Sequence, residues 1–541
     1  MKKLVSRFMA VLMAMTMILS MSMTAFAAEA PKGTLTVNNT VAGKTLDLYQ
    51  IFTATKNGDN VAYTLNDAYE GFFQNKITGA SKLTGEALSE KAYAYVKEQV
   101  GDDGSKGATF AKDIMGWILS ASGETKTAVE STHSTTTTAD TKTVIENLAY
   151  GYYVVYPLGA TDTSTAPGNE TVKSVASLVN VTDTTVTINM KSNYPTVVKK
   201  VNDKNADDVN IGDTVTYTLT SKVPDMTGYT SYVFNFKDTL AKGLTFGSIT
   251  SVTVGSGENV QNVTEGTGDN TYTLTQDGQN ITITMNNFFA SNENKAGQEI
   301  NVTYTATLNK DAVTGFDPNT NKATVEYSNK PGTDEKGESE PSIVDVHTFN
   351  FTIFKYYLKD ETKTGLANAE FELYKANAAG DAADTDAKIN IVDEGAGVYR
   401  QATPEEAAAE GFKSDVIVSG TDGKVLVKGL DAGTYYLRET KAPEGYNKLL
   451  SDIKVEIKAN YDETTGKLTS YSVDYTYNGT TTTGTAITNK DNSPEVAVEN
   501  KTGAQLPSTG SKGALMVTLA GIVLFGALTA SKVFGKKKVN N

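Results

Sequence analysis

The segment Val233-Phe234-Asn235-Phe236-Lys237-Asp238-Thr239-Leu240 alternates between residues that seek a core and residues that seek water. Side chains along a strand point to opposite faces with a period of two. Phe234, Phe236, Asp238 and Leu240 therefore share one face, and Asp238 points where two phenylalanines point. Six more segments, residues 197–201, 214–220, 270–274, 280–285, 299–308 and 323–327, alternate likewise or are rich in strand formers. Seven strands punctuated by turn residues predict an immunoglobulin-like sandwich over residues 194–345.

The flanking regions read as further domains. In residues 28–193, strands are predicted at 34–37, 45–52, 147–156, 174–181 and 185–190. Apolar residues at helical spacing over 83–100 and 109–120 predict helices packed on them. The Thr-rich residues 131–143, with His133, read as an exposed loop. A polar stretch, 328–342, separates the middle unit from residues 346–490, which are strand-rich with a short helix near 404–411. Residues 491–505 read as a polar linker. The expected class is mainly all-β: tandem immunoglobulin-like sandwiches, the first with additional helices.

Composition excludes several functions. The 541 residues suffice for about three domains. A formal charge of −14 argues against nucleic acid as a partner. With no cysteine there are neither disulfides nor thiolate metal sites. The two histidines, His133 and His347, stand in a Thr-rich loop and at a domain boundary, so no nucleophile–base pair of a hydrolase is visible. The acid-rich run 203–213 lacks the turn glycine and terminal bidentate Glu of an EF-hand loop. No metal, no cofactor and no enzymatic turnover are expected.

Three-residue sets do stand out. Val197, Lys199 and Val201 share a face on the first strand of the middle unit, and Asn321, Ala323 and Val325 share one on its last. With Asp238 between, a lysine, an acid and an asparagine all point inward. The third unit repeats the order: Lys355 with Phe351 and Ile353, Glu439 with Tyr435 and Leu437, and Asn489 with Ile487. Buried lysines and acids are rare unless paired. Burial disfavours the charged forms of both. A neutral lysine amine can then attack the Asn carbonyl while a protonated carboxyl polarises it, giving a Lys–Asn isopeptide bond and ammonia. The alternative is a buried salt bridge with a hydrogen-bonded asparagine.

The termini carry processing patterns. Residues 1–27 combine basic Lys2, Lys3 and Arg7, an apolar run and the small-x-small site Ala25-Phe26-Ala27, the pattern of a cleaved signal peptide. At the other end, Leu506-Pro507-Ser508-Thr509-Gly510 precedes a mostly apolar run, 514–531, and the lysines 532 and 536–538. About 18 apolar residues suffice to span a bilayer, and the lysines favour its cytoplasmic side. This order resembles the LPXTG-type sorting signal of Gram-positive surface proteins, over residues 506–541. The resemblance implies cleavage by a sortase between Thr509 and Gly510, covalent attachment to the cell wall, and only transient membrane retention.

Gly365-Leu366-Ala367-Asn368-Ala369-Glu370-Phe371-Glu372-Leu373-Tyr374, with Glu439-Thr440-Lys441-Ala442-Pro443-Glu444-Gly445-Tyr446, is similar to a Cna B-type domain. Pro195-Thr196-Val197-Val198-Lys199, Asp238-Thr239-Leu240 and Asn321-Lys322-Ala323-Thr324-Val325 resemble a Cna A-like domain of the same proteins, the backbone pilins of sortase-assembled pili. The resemblance implies bonds Lys199–Asn321 and Lys355–Asn489, with Asp238 and Glu439 as the catalytic acids. It implies as partners other copies of the chain in a head-to-tail polymer, sortases, peptidoglycan, minor pilins and host surface ligands. Such pilins carry an acceptor lysine in a Tyr-Pro-Lys motif, but here Leu158 follows Tyr156-Pro157. The family's position for that lysine, at the end of the first domain, falls on Lys191, with Lys173 and the Lys199–Lys200 pair as rivals. A wall-anchored monomeric adhesin binding a host ligand through residues 29–193 fits the same signals.

Overall fold

The computed structural model describes residues 31–101, 106–120, 129–138, 141–161, 175–190 and 193–503. It is mostly β-strand and divides into two compact units. Of the described residues, one unit comprises those within 31–313, 317–348 and 461–468; the other 314–316, 349–460 and 469–503. The N-terminal domain and the middle sandwich thus form one unit where the sequence suggested two. Asp225 N–H donates to Thr161 Oγ1 at 2.6 Å, and Lys44 Nζ donates to the Tyr327 hydroxyl at 3.1 Å, tying them together.

In the N-terminal domain, Lys32–Asn38 lies between Lys142–Ala149 and Thr185–Asn189. A second sheet is built on Thr45–Asn57 and Gly151–Pro157. Helices Glu70–Lys76, Gly85–Val100 and Gly107–Leu119 pack on it. Leu88, Ala92 and Val96 recur every four residues and are buried, the inward stripe of an amphipathic helix. Residues 131–143, expected as a loop, include the strand His133–Thr136, paired with Thr45–Leu48. Its Ser and Thr residues present no apolar alternation to announce it.

The middle sandwich has a sheet centred on Phe234–Leu240, flanked by Asn280–Met285 and Asn319–Ser328, against a sheet containing Thr214–Lys222 and Glu299–Leu308. Phe234, Phe236, Asp238 and Leu240 are all buried, as the alternation requires. The polar stretch 328–342 is no separator. It carries Lys336–Glu338, paired with Glu326–Ser328, and leads into Ser342–His347, which pairs with Asn319–Ala323. The strand bearing Asn321 is therefore not the last.

In the other unit Phe349–Lys359 pairs with Lys424–Leu430. A facing sheet contains Glu370–Ala376 and Gly433–Lys441. The helix Pro404–Ala408 begins with a capping box between Thr403 and Glu406. Residues 491–505, expected as a linker, contain the strand Glu495–Glu499, parallel to Thr352–Tyr356. Val496 and Val498 insert into the core, so the domain runs past residue 490.

Candidate functional site: two buried lysine–acid–asparagine trios

Lys199 stands on the edge strand Val198–Val201 of one middle sheet, and Asp238 and Asn321 on neighbouring strands of the facing sheet. All three are at most 2% exposed. Lys199 Nζ is hydrogen-bonded to Asp238 Oδ2 and donates to the Tyr304 hydroxyl at 2.7 Å. That hydroxyl donates to Asp238 Oδ2 at 2.8 Å and accepts from Asn321 Nδ2 at 2.7 Å. Asp238 Oδ1 and Asn321 Oδ1 are buried without hydrogen-bond partners. The rings of Tyr217 and Tyr304 flank the lysine, 4.7 and 5.0 Å from Nζ. Burial pushes the Lys199 amine down to about 8, against the pull of Asp238.

In the second trio Lys355 comes from Phe349–Lys359 and Glu439 from Gly433–Lys441. Lys355 Nζ lies 3.1 Å from Glu439 Oε1, both side chains wholly buried. Burial pushes Lys355 down to about 8 against Glu439. The third member is Asn500, 1% exposed, directly after the strand Glu495–Glu499. Asn500 Nδ2 donates to Glu439 Oε2 at 3.3 Å and also to the Asn447 carbonyl, while its Oδ1 is buried without a partner. Leu449 N–H donates to the same Glu439 oxygen at 2.7 Å.

Asn489, expected in that place, is not there. It is exposed, and its Oδ1 accepts from Asp491 N–H and Asn492 Nδ2, each at 3.1 Å, as a turn residue does. Ile487 makes only an isolated bridge to Tyr471. The signal for Asn500 lay in the sequence: Val496, Val498 and Asn500 share a face by the same period of two. Tyr304 was also missed, since a tyrosine in an alternating strand reads as core. Lys191, Lys173 and Leu506, Pro507, Ser508, Thr509 and Gly510 lie outside the described residues, as do the signal peptide and residues 514–531. Among the described residues no helix is long and apolar enough to cross a membrane.

The described residues form a modular, mostly β-strand protein with a buried trio in each of two sandwiches. Residues 211–331 match the family model described as Gram-positive pilin backbone subunit 2, Cna-B-like domain, and residues 352–472 match that of a prealbumin-like fold domain. The first description sets the middle sandwich with Cna-B-like domains, where the sequence had resembled the Cna A-like type. The chain is 25% identical over 360 residues to the trypsin-resistant surface T6 protein of Streptococcus pyogenes serotype M6, covering 60% of this chain and 59% of that relative. The match thus spans less than two thirds of the relative's length. Among solved structures, the T6 backbone pilin of serotype M6 Streptococcus pyogenes is 17% identical, with 88% of this chain and 100% of that one covered, at a TM-score of 0.43. The major pilin SpaA of Corynebacterium diphtheriae is 17% identical, with 86% and 99% covered, at 0.43.

Proposed function

We propose that this chain is the backbone subunit of a covalent cell-surface pilus, and that its trios form the isopeptide bonds Lys199–Asn321 and Lys355–Asn500. The observation that carries the reading is the pair of fully buried lysines, each pushed toward the neutral amine beside an acid and a carboxamide. The neutral amine attacks the Asn side-chain carbonyl carbon. A bond to the lysine nitrogen forms, the bond to Nδ2 breaks, and a lysine proton leaves with Nδ2 as ammonia. Asp238 or Glu439 supplies and recovers the proton that polarises the carbonyl oxygen. The Oδ1 of each asparagine is buried without a partner, the acceptor that the carboxyl proton serves.

Polymerisation uses the segment 506–510. A sortase cuts after Thr509 and joins its carbonyl to Lys191 of another copy, and a last transfer attaches the fibre to peptidoglycan. The chain is then a substrate of enzymes rather than an enzyme, and its heterologous contact builds an open fibre. Intact mass of residues 28–509 checks the internal bonds: it falls two ammonia masses short of the sequence. Surface extracts check the polymer: an SDS-resistant ladder is expected, and Lys191→Ala abolishes it while leaving the folded monomer on the wall. An unshifted mass removes the isopeptide reading. Thr509 found only on peptidoglycan replaces the pilus by a monomeric wall-anchored adhesin.

A further inference from the structure

The trio in the middle sandwich has a fourth member. We propose that Tyr304 is a catalytic residue of bond formation there, carrying a proton from Lys199 Nζ to the departing Asn321 Nδ2. The proposal rests on the isopeptide reading of that site. Forming the bond requires the lysine nitrogen to lose a proton and the amide nitrogen to gain one. Both nitrogens lie 2.7 Å from the Tyr304 hydroxyl oxygen, and Asp238 Oδ2 lies 2.8 Å from it.

In the starting arrangement the hydroxyl accepts from both nitrogens and donates to Asp238. The lone pair of Nδ2 is then delocalised into the amide and accepts nothing. Attack by Lys199 makes the Asn321 carbon tetrahedral and turns Nδ2 into an amine with a free lone pair. The hydroxyl then gives its proton to Nδ2 as it takes one from Nζ, so the tyrosine ends as it began. Ammonia departs and the amide remains, with no co-reactant. The geometry is pre-set: Tyr304 pairs with Tyr217 across the strands, their rings stacked 5.2 Å apart, so the hydroxyl is held in place. Burial, with Asp238 beside it, pushes the phenol well above its ordinary range, so no phenolate accumulates. The second trio lacks this device. There the Leu449 N–H and the Asn447 carbonyl hold the acid and the amide, and neither relays protons.

The test is Tyr304→Phe in the full chain, which keeps the ring and removes the hydroxyl. Peptide mapping reads the two cross-links separately. Freshly purified wild type should carry both. The variant should carry Lys355–Asn500 in full and Lys199–Asn321 in less than a tenth of molecules, and should melt like Asn321→Ala. A complete Lys199–Asn321 link in the variant overturns the role of Tyr304 and leaves the isopeptide reading standing. Absence of that link from wild type overturns both. If Tyr304→Phe does not fold, 3,5-difluorotyrosine placed at position 304 keeps ring and hydroxyl and alters only proton affinity. The rate of ammonia loss must then change, and an unchanged rate overturns the proposal.

Discussion

On the outer face of the sheet, Lys237 and Asn235 of Phe234–Leu240 meet Glu326 of the neighbouring strand Asn319–Ser328, another lysine, acid and asparagine. Lys237 Nζ lies 2.6 Å from Glu326 Oε2, and Asn235 Nδ2 donates to Glu326 Oε1 at 2.9 Å. The composition matches the core trios; the surroundings do not. The Lys237 side chain is 38% exposed. Partial burial works to raise Glu326, but hydrogen bonds from Lys237 and Asn235 outweigh it and hold the carboxyl below its ordinary range. A carboxylate so held has no proton to give a carbonyl. Mapping should therefore find no peptide joining Lys237 to Asn235; a third ammonia loss located there would show that burial is not what selects the reactive lysines. Burial also leaves a pH signature. In Asn500→Ala, Lys355 keeps a free amine, at about 8 in the folded chain against an ordinary 10.5. Between those values the unfolded chain holds a proton that the folded chain lacks, so stability rises with pH across the window. Below it both states are protonated and the cost of burying the ammonium is present in full. Denaturant unfolding at pH 7.5 and pH 10 should show Asn500→Ala gaining on Lys355→Met, which has no such amine; a loss relative to Lys355→Met would contradict the lowered value.

The elements differ in how plainly they announce themselves. Phe234–Leu240 and Val198–Val201 expose their inward faces in the sequence, because a lysine or acid in phase with valines and phenylalanines has only the core to point to. The helix Gly85–Val100 is long enough for a 3.6-residue period to show, whereas Glu70–Lys76 is too short. Glu495–Glu499 was the costly omission. Only Val496 and Val498 mark it, and its partner strand is parallel, so no hairpin turn points to the pairing. Missing that strand moved the asparagine to Asn489. The two candidates separate cleanly. Asn489→Ala should leave intact mass unchanged and stability within about 0.5 kcal/mol, as surface substitutions do. Asn500→Ala should restore one ammonia mass and open a closed loop of roughly 150 residues, a cross-link worth on the order of 5 kcal/mol by the loop-entropy argument. At about 2–4 °C per kcal/mol for a domain of that size, the melting point falls by roughly 10–20 °C. Equal melting of Asn500→Ala and wild type would remove the bond from the energetics of this domain.

For the whole chain the two proposed bonds set a route for tension. In the proposed fibre the load enters at Lys191 and leaves at Thr509, so the N-terminal domain, which precedes Lys191, stands outside the route. From Lys191 the chain runs a few residues to Lys199, crosses to Asn321, continues to Lys355, crosses to Asn500 and exits. Residues 200–320 and 356–499 are bypassed, while 322–354 stay on the route. Without the second bond, load on the end of that unit falls on the five register pairs between Glu495–Glu499 and Thr352–Tyr356. Because the strands are parallel and pulled from opposite ends, those hydrogen bonds are then loaded in shear. A single chain held at residue 191 and near residue 503 should therefore show, while both bonds are intact, no step longer than roughly 110 Å, the reach of the ~33 residues between Asn321 and Lys355 that carry Lys336–Glu338 and Ser342–His347. Asn500→Ala should add one step of roughly 500 Å, the reach of the ~145 residues between the two strands at ~3.4 Å each. Asn321→Ala should add a separate step of roughly 400 Å for the ~120 residues between Lys199 and Asn321. A handle moved from residue 191 to residue 31 brings the N-terminal domain into the load and should add its own step to every variant. Steps of several hundred ångström in wild type held at 191 would mean that load does not pass through the lysines, and with that the mechanical purpose of the trios would fall.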